Sequence, residues 1–230
     1  MSVAEKFELI ADEVYEAGQK SEYDRFWDAY QNKGTRTNYW CAFAGMQWDK
    51  ETFKPKYKIA PVGSSAATQM FLLFNGTTGS EIMDYKEYEH LFDWSGITAA
   101  TQTFQDAKIE NIDVDFSNVA SMTSCFSEAN FQRAKKTTLS LKVSNKCTNM
   151  SSAFAYCSEL QNLTFKEGSE IAASISFSNS SKLSYESLRS IINALGTVSS
   201  TKTLTLHATA KAKLTEADIA EITQKGWTLA

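Results

Sequence analysis

The sequence predicts an α/β solenoid: a parallel strand ladder coiled in short repeats, with a helix at the N-terminus and a helical cap at the C-terminus. Three observations carry this. Ile97, Ala100, Thr103, Phe104 and Ala107 recur as Val119, Met122, Cys125, Phe126 and Ala129, and again as Cys147, Met150, Ala153, Phe154 and Cys157. The internal spacing is 3-3-1-3 in every copy, and the copies begin 22 and 28 residues apart. Such periods mark units too small to bury an apolar face alone, which therefore stack on their neighbours. After each repeat comes a short stretch alternating apolar and polar residues, the period of a strand with one buried face. Amphipathic helical stretches stand at the two ends of the chain.

Residues 1–33 form the first element. Val3, Phe7, Ile10, Val14 and Ala17 follow a heptad seam ringed by charged residues, which predicts a helix. Tyr23, Phe26, Trp27 and Tyr30 continue it as an aromatic stripe. Two uses are open: the helix caps the solenoid, or it self-associates as a dimer or trimer. Residues 34–69 read as a connector, because Asn32-Lys33-Gly34, Pro55, Pro61 and Gly63-Ser64-Ser65 break regular structure. Its aromatics, Tyr39-Trp40-Cys41-Ala42-Phe43 and Trp48, are too dense for a free linker and are expected to pack together rather than to form a sugar platform.

The solenoid with its cap is expected over residues 70–230. Met70 to Phe74 reads as a strand ended by Asn75-Gly76. Tyr85 to Phe92 reads as a short helix with Asp84 as its N-cap. Ile112/Val114, Leu139/Leu141 and Leu163/Phe165 are strands, and Ile175/Phe177 and Leu204/Leu206 are expected to continue the series. Phe131 to Thr137, extra residues in the middle repeat, is expected as a bulging loop. Ser184 caps a helix that buries Leu188, Ile191, Ile192 and Leu195 and stops at Gly196. Thr215 begins another, with Ile219 and Ile222 inward and Gly226 at its end, and Trp227-Thr228-Leu229 closes the chain as a strand.

Composition restricts function. With 43% hydrophobic residues, 22% charged and a net charge of −4, the chain has no basic patch suited to nucleic acid. No apolar run approaches the ~20 residues of a membrane span. The opening Met-Ser-Val-Ala-Glu-Lys-Phe-Glu is unlike a secretory signal. Cys125 and Cys157 align with alanines of other copies, and Cys147 with Ile97 and Val119, so with Cys41 they read as core residues, not as a disulfide framework or zinc site. No metal site or cofactor is expected.

Chemistry is sparse. His90 stands near a helix end and His207 just after a strand, neither beside a nucleophile turn or phosphate loop. Asp113 and Asp115 project from one face of one strand, and a carbohydrate-active enzyme using this pair is the alternative to a non-enzymatic protein. The outward ladder face is the better candidate. In register, Asp113, Ser140, Thr164, Ser176 and Thr205 form one column, and Asp115, Lys142, Lys166, Ser178 and His207 the next. Asp115 opposite Lys142 would be a cross-strand ion pair. Such a face is either a polar binding surface or merely solvated.

The stretch Thr148-Asn149-Met150-Ser151-Ser152-Ala153-Phe154-Ala155-Tyr156-Cys157-Ser158-Glu159-Leu160-Gln161-Asn162-Leu163-Thr164-Phe165 resembles the repeat unit of BspA-like leucine-rich repeat proteins, Asn-Met-x-x-x-Phe-x-x-Cys-x-x-Leu-x-x-Leu. Ser121-Met122-Thr123-Ser124-Cys125-Phe126 is a partial second copy. Leu183 to Leu188, Ile191 to Leu195, Gly226 to Leu229 and Tyr23 to Tyr30 are similar to short repeat proteins encoded by gut bacteria and their prophages. The resemblance implies a leucine-rich-repeat-like right-handed coil and adhesion or ligand binding at a cell surface, to protein or glycan. Without an export signal or wall anchor, the expectation shifts to a virion component, tail-associated and engaged in host recognition, made in the cytoplasm. A purely cytoplasmic scaffold is the alternative setting.

Overall fold

The computed structural model describes residues 35–36, 39, 43, 58–71, 83–107, 109–127 and 138–230. The heptad seam Val3, Phe7, Ile10, Val14 and Ala17, the stripe Tyr23 to Tyr30 and the loop Phe131 to Thr137 lie outside the described residues. What is described is a mixed α/β chain in which every strand pairing is parallel and no sheet closes into a barrel.

The central sheet consists of β5 (Ile112–Phe116), β6 (Thr138–Val143) and β7 (Asn162–Phe165). Ile112 faces Leu139 and Leu139 faces Leu163, while Val114, Leu141 and Phe165 form the next row. All six are buried, so alternation places one apolar face in the core and the polar residues outside. Upstream, β1 (Thr35–Arg36) pairs with β2 (Ala60–Pro61), and β3 (Met83–Asp84) with β4 (Ile109–Glu110). A short helix, α1 (Tyr85–Tyr88), follows β3, continues as a 3-10 turn over Glu89–Leu91, and is capped by Asp84, whose carboxylate accepts from the Lys86 amide.

The repeats themselves are turns, and they stack in register as closely as the strands do. The Phe104 amide donates to the Cys125 carbonyl at 2.8 Å, and the Phe126 amide to Ala153 at 2.9 Å. Ala99, Ser121 and Asn149 are bridged in parallel beside them. Their phenylalanines form a column: Phe104–Phe126 centroids are 5.5 Å apart and Phe126–Phe154 5.4 Å, with rings inclined by 5° and 18°. Offset stacking at such distances adds ~0.5–1.5 kcal/mol per pair beyond the area buried.

The column extends further than the three aligned copies. Phe71 stacks on Phe104 at 4.9 Å and Phe43 on Phe71 at 5.3 Å. The Phe71 amide donates to Thr103 and the Phe43 amide to Met70, the same bonds that join the later copies. Met70 and Phe71 therefore belong to a repeat turn and not to the expected strand. Tyr39 and Phe43, expected in a connector, are buried in the same stack, so packing is continuous across residue 70.

A second correction concerns the end of the ladder. Strand β8 (Ile175–Phe177) does not pair with β7; it forms a separate sheet with β9 (Lys202–Leu206) and β10 (Trp227–Leu229), in the order β10-β9-β8. Phe177 packs on Phe154 at 4.7 Å, so β8 follows the turn column instead of the strand column. The edge of β7 is covered by α2 (Tyr185–Ala194), whose Ser187 and Ser190 hydroxyls accept from the Leu163 and Phe165 amides at 2.8 Å each.

Helix α2 begins at Ser184, whose hydroxyl accepts from the Ser187 amide, and buries Leu188, Ile191 and Ile192. It stops at Leu195 in extended backbone. Gly196 is required for proximity and not for a left-handed cap: a Cβ there would meet Glu170 Cγ at 2.9 Å and the Ile171 carbonyl at 3.2 Å. After α3 (Ala208–Lys211), helix α4 (Glu216–Gln224) opens with a capping box between Thr215 and Asp218. Ile222 is buried, but Ile219, expected inward, is exposed; Asp218 takes the buried position because its carboxylate is engaged on several sides there. Gly226, at φ +86°, ends α4 as the left-handed residue.

At the tight turn of each repeat, Gln69, Gln102, Ser124 and Ser152 share φ between 51° and 54°, a conformation that costs L-residues ~1–2 kcal/mol. Replacing Ser152 by glycine is expected to raise stability by ~0.5–1 kcal/mol in urea denaturation. Phe126→Ala, in the middle of the column, should lower it by ~3–5 kcal/mol. Unchanged stability of Phe126→Ala would contradict the column as a packed unit.

Candidate functional site

The outward face of the central sheet holds most of the residues that the sequence proposes. Register brings Asp113, Ser140 and Thr164 into one column and Asp115 and Lys142 into the next, with Lys166 immediately beyond the end of β7. Ser176, Ser178, Thr205 and His207 are not on this face. Ser176 and Thr205 pair in register in the other sheet, and Ser178 and His207 follow immediately beyond the ends of β8 and β9. His207 caps α3 there, its Nδ1 accepting from the Thr209 amide at 3.2 Å. His90 lies in the 3-10 turn after α1 and is exposed.

Charges on the central face pair differently from expectation. Asp115 stands opposite Lys142 in register, but its carboxylate turns back to accept from the Ser117 amide at 2.9 Å and from the Ser117 hydroxyl. Lys166 instead forms an ion pair with Asp113, reaching across β6. Both partners are about one-third exposed, and such pairs contribute at most ~1 kcal/mol.

This geometry bears on the carboxylate pair. Partial burial pushes Asp115 upward, yet the Ser117 hydrogen bonds, aided by Lys142 and Lys166, hold it below the usual carboxylate range. A general acid needs the opposite displacement. Among the described residues, no group of three His, Cys, Asp or Glu side chains converges as metal ligands would. Cys125, Cys147 and Cys157 are buried free thiols; burial pushes all three up, Cys147 to about 11, which suits the core role their repeat positions predict.

Sequence reading missed a second polar surface. A groove of about 550 Å³ lies between the turn after β7 and helix α2, and Lys166 is the predicted site residue on its wall. Tyr185, Arg189 and Asn193 supply the other wall. Their i, i+4, i+8 spacing marks one flank of α2, bordering the apolar stripe of Leu188, Ile191 and Ile192, and could have been read from the sequence.

Behind that flank, Arg189 Nη1 donates to Asp218 at 2.6 Å and to Glu221 at 3.0 Å, and Nη2 donates to Asn193 at 2.9 Å. Asp218 also accepts from the Thr215 amide and hydroxyl, each at 2.8 Å, and from the Tyr185 hydroxyl at 3.2 Å. Burial alone would raise its pKa, but these donors outweigh burial and lower it to about 2. Lys225 donates to the Ile192 carbonyl and pairs with Glu221, joining α4 to the end of α2.

Comparison with known proteins decides nothing here. No family model matches the chain, and neither a curated protein nor a solved structure proves similar to it. A functional reading therefore rests on the geometry and on the sequence pattern of the repeat. Among the described residues, no helix is long and apolar enough to cross a membrane.

Because Asp218 is depressed in the folded state, its contribution is present above the ordinary carboxylate pKa and is lost as pH falls through the folded value. The window runs from about pH 4 to about 2 and corresponds to ~2 kcal/mol. Asp218→Asn is expected to lower stability by about that amount at pH 7 and to flatten the acid limb relative to wild type, measured by urea denaturation across pH. Parallel acid limbs for the two proteins would contradict the assignment.

Proposed function

We propose that the chain is a non-enzymatic binding module, built as a short leucine-rich-repeat-like solenoid of right-handed coil and akin to the BspA-like proteins its repeat resembles. One observation carries this reading. The parallel register of β5, β6 and β7 aligns Asp113, Ser140, Thr164, Asp115 and Lys142 on one outward face, and that face carries hydroxyls and charges but no apolar patch. Faces of this kind, repeated at strand spacing, suit an extended polar partner such as a surface protein or glycan.

The setting that fits best is a phage or prophage particle, in which the module meets a host surface. The N-terminal segment, with Val3, Phe7, Ile10, Val14 and Ala17 on its seam, supplies attachment or self-association as a dimer or trimer. The carboxylate-pair enzyme is disfavoured, since Asp113 is tied to Lys166 and Asp115 to Ser117. A cytoplasmic scaffold shares the same polar face and differs only in location.

The decisive experiment pairs location with binding. Mass spectrometry of particles purified from the encoding strain is expected to find the chain, and the fluorescently labelled protein is expected to bind host cells. Ser140→Arg with Thr164→Arg, which crowd the face without touching the core, should reduce that binding at least tenfold. Particles free of the chain, with the protein confined to the cytosolic fraction, would favour the scaffold. Binding unaffected by the two arginines would remove the ladder face from the proposal.

A further inference from the structure

The groove beside α2 has properties that the ladder face lacks. Tyr185 is one of few large apolar side chains left exposed among the described residues, at 39%. Its hydroxyl is tethered to Asp218, so the ring is held at the groove wall instead of swinging freely. A fixed, half-exposed aromatic ring offers a face for stacking at low entropic cost.

Beside it, the guanidinium of Arg189 is oriented by three acceptors, Asp218, Glu221 and Asn193. Of its five N–H donors, three are thereby engaged, and two have no acceptor among the described residues. Asn193 and Glu186, both exposed on the same flank, add further hydrogen-bonding groups. Opposite them, Gly168 has a φ of +74° and no side chain, which leaves the wall open.

Charge narrows the ligand class. Lys166 is neutralised by Asp113, and Arg189 by Asp218 and Glu221. Glu167 and Glu186 line the groove with no ion-pair partner among the described residues. An anion entering here would meet uncompensated carboxylates and no uncompensated cation. A neutral, hydroxyl-rich molecule would meet a stacking face, fixed donors and acceptors.

We infer that this groove is a binding site for a neutral saccharide, with one sugar ring stacked on Tyr185 and its hydroxyls bonded by Arg189, Asn193 and Glu186. Its volume of about 550 Å³ falls within the range of small-ligand sites and accommodates a short oligosaccharide. The inference rests on the reading of the chain as a binding module and names both the ligand class and a site distinct from the ladder face.

The test uses the full-length protein on an array of neutral oligosaccharides built from gluco, galacto, manno and N-acetylhexosamine units, with tetragalacturonate as the anionic comparison. At least one neutral sugar is expected to bind, with tetragalacturonate at least tenfold weaker. Amide shifts in a titration of wild-type protein should concentrate in residues 165–169 and 185–194. Tyr185→Ala should weaken binding at least tenfold, whereas Tyr185→Phe, which keeps the ring and loses the hydroxyl, should stay within about threefold. The wild-type titration decides the matter even if Tyr185→Ala misfolds. No neutral binder, shifts elsewhere, preferred binding of the anion, or a Tyr185→Ala protein that folds and binds as wild type would each overturn the groove. Host-cell binding that survives any of these results leaves the binding-module reading standing without it.

Discussion

Parallel stacking of identical short turns is the constraint on which the rest depends. A parallel pair cannot be joined by a tight hairpin, so each strand must be reached by a full excursion of chain. Here the excursion contains the repeat turn, whose phenylalanine occupies the same slot as its predecessor's. Phe43, Phe71, Phe104, Phe126, Phe154 and Phe177 thereby form one continuous column, each ring touching the next. With rings and backbone both in register, β5, β6 and β7 have no freedom to slip. A one-residue slip would turn every buried Leu, Ile and Val outward. The polar columns on the opposite face are a by-product of the same register.

The 3-3-1-3 pattern made the core of this arrangement legible. It named Phe104, Phe126 and Phe154, their small neighbours and the strands that follow. It did not reach the two upstream members, because Phe71 is separated from Phe104 by 33 residues and its turn lacks an apolar residue in the first slot, where Ser64 stands in place of Ile97. Around Phe43 the pattern keeps Tyr39, Ala42 and Met46 but has Arg36 in the first slot. Alternation likewise identified Ile175/Phe177 and Leu204/Leu206 as strands, yet period two says nothing of which neighbour a strand joins. The aromatic slot after Phe154 drew β8 to the turn side, and α2 took the place beside β7.

The candidate sites divide along the same line. Residues on one ladder could be placed from register alone, and Asp113, Ser140 and Thr164 do fall together. Lys166 reaching over β6 to Asp113 is a matter of side-chain length that no alternation reveals. The groove depends on α2 docking against the turn after β7, a contact between segments some twenty residues apart whose only trace is the polar spacing of Tyr185, Arg189 and Asn193. Asp218 shows the limit of apolar patterning: Ile219 has the hydrophobic side chain, but the carboxylate holds the inward position because Thr215, Arg189 and Tyr185 supply its hydrogen bonds.

The serine hydroxyls at the edge of β7 have a consequence for how such a chain changes in length. An open strand edge is a template for the next strand, and in a stacked array it is where another unit would be added. Ser187 and Ser190 fill the amide positions of Leu163 and Phe165 that a fourth ladder member would need. Duplication of a unit is therefore compatible with the fold only ahead of Asn162. Growth past Phe165 would demand the eviction of an entire helix, so variation in unit number among descendants of this sequence is confined to the interior of the array.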